Sequence, residues 1–160
     1  MVENRKEFKL LQKKTPASLL PNALTILGVC LGLSSIKFAL DFNYEMAVIT
    51  IGLAAILDTL DGRVARLVNA TSKVGKELDS LTDVISFGVA PGFVMYFWAL
   101  NEIGKFGWMF VLIYTVCCAL RLARYNLMTI EENETWKINF FEGVPSPAAA
   151  GLVLLPLILN

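Results

Sequence analysis

Long apolar runs, each close to the length a helix needs to cross a bilayer, leave this chain few folds to adopt. Inside hydrocarbon every backbone N–H and C=O must be satisfied internally, which favours helices, and a span takes about 20 residues. Four runs qualify: 19–40, 44–67, 74–100 and 106–127. The third carries Pro91-Gly92, an expected kink. A fifth apolar stretch begins near Pro147 and reaches Asn160, too short for a comfortable span. With 56% hydrophobic and 18% charged residues, and a mean hydropathy of +0.60, the composition is that of an integral membrane protein. The expectation is an all-α polytopic transmembrane helix bundle over 19–160. A short amphipathic helix at 1–18 precedes it, in which Arg5, Lys6, Lys9, Lys13 and Lys14 interleave with Phe8, Leu10 and Leu11.

The formal net charge is zero, which argues against nucleic acid as a partner. The positive charges are nevertheless sorted. Arg5, Lys6, Lys9, Lys13, Lys14, Arg63, Arg66, Lys73, Lys76, Arg121, Arg124 and Lys137 fall on one side of the expected spans, and Lys37 and Lys105 on the other. By the positive-inside rule the N-terminus is cytoplasmic. The triplets Asn69-Ala70-Thr71 and Asn133-Glu134-Thr135 then lie in cytoplasmic loops and are coincidental. Gly28 and Gly32, four apart, read as tight helix packing.

The chain has no histidine, so imidazole catalysis and His-ligated zinc are excluded. Cys30, Cys117 and Cys118 lack zinc-type spacing and read as packed helix residues. Any base is therefore a carboxylate, and any metal site is oxygen-rich, suited to Mg²⁺, Mn²⁺ or Ca²⁺.

The second run is purely apolar only from Met46 to Leu57, so a spanning helix must continue through Asp58 and Asp61. The third reaches spanning length only by including Asp79 and Asp83. Carboxylates near a bilayer survive where a partner, metal or substrate compensates them. Asp58 and Asp61 are i, i+3 and Asp79 and Asp83 are i, i+4, so each pair shares a helix face. If the two helices are neighbours, four carboxylates converge, and two divalent cations would neutralise them. Gly62, Ala65 and Gly75 keep the surroundings low enough for a bulky ligand, and Arg66 would hold a phosphate through its planar fork. The ensemble describes a site for a nucleotide-linked pyrophosphate at a membrane surface.

The stretch from Asp58 to Asp83 matches D-x-x-D-G-x-x-A-R-x8-G-x-x-x-D-x-x-x-D throughout. In this it resembles the CDP-alcohol phosphotransferases, membrane enzymes of phospholipid synthesis. Pro21-Asn22-x-x-Thr25 is similar to that family's opening. The resemblance implies a homodimer of six-helix chains, of which five helices are visible here. It also implies that Asp58, Asp61, Asp79 and Asp83 ligate two Mg²⁺ or Mn²⁺ ions, with Ca²⁺ a non-productive occupant. Asp83 would double as general base. Gly62, Ala65, Arg66 and Gly75 would receive the cytidine nucleotide, and Asn22 and Thr25 the pyrophosphate region.

Two further segments, Arg121-Leu-Ala-Arg124-Tyr125-Asn126 and Phe141-Glu-Gly143-Val-Pro145-Ser146-Pro147, resemble the subgroup that transfers phosphatidyl from CDP-diacylglycerol, or an ether-lipid analogue, to L-serine with release of CMP. Arg121 or Arg124 would pair with serine's carboxylate and Asn126 would orient it; without the resemblance the two arginines read equally well as positive-inside anchors. Glycerol-3-phosphate or inositol-phosphate would need a cation there too, so both stay open as acceptors. The alternative of another class is a divalent-cation transporter. The sequence speaks against it by placing all four acids toward one face and showing no inverted repeat.

Overall fold

The computed structural model describes residues 19–67, 73–130 and 144–159; the basic segment 1–18, both Asn-x-Thr triplets, Lys137 and 141–143 lie outside these. All the described elements are helical: α1 (Leu19–Leu40), α2 (Tyr44–Leu67), α3 (Lys73–Asp83), a π-helical stretch (Val84–Val89), α4 (Ala90–Trp98), a 3₁₀ turn (Leu100–Ile103), α5 (Lys105–Ile130) and α6 (Ser146–Ile158). The first two match the expected boundaries, while α5 outruns its expected 106–127 at both ends. Segments 22–40, 75–98 and 105–126 are each long and apolar enough to cross a membrane. The 24 residues of α2 run unbroken through Asp58 and Asp61, a length of about 36 Å at 1.5 Å per residue. The chain is an integral membrane protein.

Small residues let these helices approach closely. α1 packs most extensively on α2 and also meets α3, the π stretch and α4. Ala39, Ala47, Ile51 and Ala54 form that seam with Phe87, Ala90 and Val94, and Ala150 and Leu154 of α6 close the core. A Cβ on Gly32 would stand 2.7 Å from Ser86 Oγ and 2.9 Å from Ser86 Cα, so only glycine admits this crossing. Ser86 Oγ donates to the Gly28 carbonyl at 3.2 Å. The Gly28/Gly32 pair is therefore a face of tight helix packing.

The third span is irregular one turn earlier than its proline suggests. Helix α3, the π stretch and α4 continue without a break, and the widened turn at Val84–Val89 precedes Pro91. Pro91 has no N–H to offer the Phe87 carbonyl four residues back. That carbonyl accepts the Tyr114 hydroxyl at 2.7 Å, and Gly88's accepts Thr115 Oγ1 at 3.3 Å. Within the widened turn the Ala90 N–H bonds the Ile85 carbonyl, five residues back. Helix α5 thus satisfies backbone groups that the break leaves free, as spanning helices require. Of the cysteines only Cys118 is packed; Cys30 and Cys117 are exposed on helix faces, a correction to the sequence reading explained by the apolar character of those faces.

At the end away from the aspartates, Trp108 meets Phe93 and Tyr96 edge-on, each at 5.6 Å. Tyr44 Oη donates to the Phe97 carbonyl at 3.0 Å. Amphipathic aromatic rings suit a membrane–water boundary.

Candidate metal and substrate site

Helices α2 and α3 do not pack along their lengths among the described residues; both lie against α1, which carries the site between them. Carboxylate oxygens of Asp58, Asp61 and Asp79 all lie within 4.8 Å of one another. The Asp83 carboxyl lies beside that of Asp58 but falls outside this three-acid group. The i, i+3 and i, i+4 spacings put each pair on one face, and the shared support brings the faces together.

Asp61 is only 4% exposed. Its Oδ2 accepts a hydrogen bond from Thr25 Oγ1 of α1 at 2.8 Å. Thr25 therefore orients a carboxylate of the cluster, a contact that sequence spacing could not reveal because its partner is 36 residues away. Asp83 ends α3 just before the π stretch. Its Oδ1 is buried without a hydrogen-bond partner among the described residues. Four clustered carboxylates repel one another, and burial removes the water that would screen them. The donor set is all oxygen and its ligand atoms converge; these residues fit hard divalent cations.

A Cβ on Gly62 would meet nothing within 4 Å, so the space beside the acids is open. Gly75 begins the third span, and Asn22 lies half-buried on the first turn of α1. The side chains of Ala65 and Arg66 lie outside the described set.

The three expected acceptor residues fall in different surroundings. Arg121 is half-buried beside Asp83. Its Nη1 donates to Ser146 Oγ of α6 at 2.8 Å, and its Nε is buried with no partner among the described residues. Asn126 Nδ2 donates to Ser80 Oγ at 2.8 Å, next to Asp79 in sequence. Arg124 is exposed. Sequence reasoning missed Ser146 and Ser80 as partners, since a serine in an apolar helix carries no signal of what it touches.

The profile of the CDP-alcohol phosphatidyltransferase family matches residues 18–160. The chain belongs to this family. It is 47% identical over 133 residues to a CDP-diacylglycerol–serine O-phosphatidyltransferase of Mycobacterium tuberculosis, covering 82% of this chain and 46% of that protein. A Helicobacter pylori protein of the same name is 43% identical over 145 residues, covering 91% and 60%. One from Bacillus subtilis is 37% identical over 142 residues, covering 88% and 77%. The chain thus spans about half the length of the mycobacterial relative. Family membership sets the transporter reading aside.

Proposed function

We propose that this chain transfers the phosphatidyl group of CDP-diacylglycerol to L-serine, giving phosphatidylserine and CMP. The observation that carries the reading is the pairing of the carboxylate cluster with a half-buried cation: Asp83 Oδ1 and Arg121 Nε, both buried and unpartnered among the described residues, belong to neighbouring side chains. An acceptor bearing a hydroxyl and a carboxylate satisfies both. The names of the relatives above support the same acceptor.

In this reading the serine carboxylate accepts from Arg121, with Asn126 ordering that edge and Arg124 drawing the anion in from solvent. The serine hydroxyl donates to Asp83 Oδ1, which takes its proton as the oxygen attacks the lipid-bearing phosphorus. The bond from that phosphorus to the CMP oxygen breaks, and CMP leaves as the anion. Gly62, Ala65 and Gly75 leave room for the nucleotide, Arg66 contacts its phosphate, and Asn22 borders the pyrophosphate. Asp58, Asp61 and Asp79, with Asp83, would hold two Mg²⁺ or Mn²⁺ ions. When bound, such ions offset the negative charge that builds on the phosphates.

Several wider features belong to the same proposal. The sorting of Lys and Arg supports a site at the cytoplasmic face of the plasma membrane, and the exposed apolar faces of the helices suit lipid and a second copy of the chain in a homodimer.

The test is CMP release from CDP-diacylglycerol by the detergent-purified chain, with serine, glycerol-3-phosphate or inositol-phosphate supplied separately. Serine-dependent release is expected. Release only with a phosphorylated acceptor would keep the family and overturn the acceptor.

A further inference from the structure

The bond between Arg121 and Ser146 joins two helices at the point where the acceptor is expected. Ser146 is 3% exposed and opens α6 directly after Pro145. Its Oγ accepts from Arg121 Nη1 at 2.8 Å. A guanidinium is planar, with its five N–H groups in a rigid fork. Held at Nη1, it has few orientations left, so the direction of its Nε–H is set by Ser146. That Nε–H has no partner among the described residues and belongs to the side chain beside Asp83. A serine that merely stitched α5 to α6 would not explain why the arginine's remaining buried donor is left unsatisfied.

We infer that Ser146 is a positioning residue for the acceptor: it fixes the Arg121 guanidinium so that its free Nε–H meets the carboxylate of an amino-acid substrate. The inference rests on the serine-transfer reading. Ser146 touches no substrate; it acts through Arg121, and the first turn of α6 therefore sets acceptor affinity.

The experiment measures steady-state kinetics with serine and CDP-diacylglycerol varied in turn. Ser146→Ala is expected to raise the KM for serine about tenfold, the scale of a lost hydrogen bond to a charged group, with kcat and the KM for CDP-diacylglycerol little changed. Ser146→Thr, which keeps the hydroxyl, should restore the serine KM. In an Arg121→Gln background the further change Ser146→Ala should add nothing, because the two residues act as one unit. If Ser146→Ala lowers the melting temperature, Ser146→Cys carries the same test through its weaker acceptor: a raised serine KM supports the inference and an unchanged one overturns it. Equal losses toward both substrates, or full additivity with Arg121→Gln, would also overturn it. An unmodified chain that turns over CDP-diacylglycerol only with another acceptor sinks the serine reading itself. A serine-active chain whose Ser146→Ala variant keeps its serine KM sinks this inference alone.

Discussion

Thr25 and Gly62 border the same acidic cluster and make opposite demands on it. Thr25 donates to Asp61 Oδ2 at 2.8 Å, and a partner that orients a ligating carboxylate is worth about 10–100-fold in metal affinity. Thr25→Val should weaken Mn²⁺ binding by that factor, read by calorimetric titration, while Thr25→Ser stays near the parent; equal affinity in all three would remove Thr25 from the site. Gly62 faces open space. Gly62→Leu should therefore leave the melting temperature unchanged yet raise the KM for CDP-diacylglycerol, because the side chain fills room the nucleotide needs. A stability loss with unchanged KM would make the glycine structural. The carboxylates themselves were legible from the sequence, since i, i+3 and i, i+4 spacing on a helix fixes a face whatever the tertiary context. The Thr25–Asp61 and Arg121–Ser146 bonds were not, because neither spacing nor composition specifies which distant helix lies opposite.

At the level of elements, α1 has the role that the sequence assigned to direct packing of the two motif helices. It supports both, and its close approach to the π stretch depends on Gly32. Gly32→Leu should cost about 1–3 kcal/mol, as overpacking does in well-filled interiors, measured by chemical unfolding in detergent. An unperturbed variant would show that the crossing is looser than the 2.9 Å approach to Ser86 Cα requires. The junction of α1 and α2 could be read from the chain because Asp41 and Asn43 interrupt the apolar pattern. The turn there holds Phe42 at φ 59° and ties the Asn43 N–H to the Phe38 carbonyl at 2.9 Å. The π stretch could not be read. A proline marks a missing donor, but where the helix widens depends on which neighbour can satisfy the freed carbonyls, and here Tyr114 and Thr115 do so.

For the whole molecule, the order of apolar runs made the helical bundle legible, and the aspartate block made the family legible. The bilayer orientation rests on charge sorting alone. In a cysteine-free background within right-side-out vesicles, a membrane-impermeant maleimide should label Phe42→Cys and spare Arg63→Cys; the reverse pattern would invert the topology. The central claim is a metal-supported transfer of phosphatidyl to serine. Its most direct test is mass spectrometry of the lipid formed from CDP-diacylglycerol and isotope-labelled L-serine, with Mn²⁺ or with excess chelator. Labelled phosphatidylserine that appears with the ion and is lost with the chelator is the predicted result. Folded protein that forms no labelled lipid, or forms it equally well in chelator, would contradict the account.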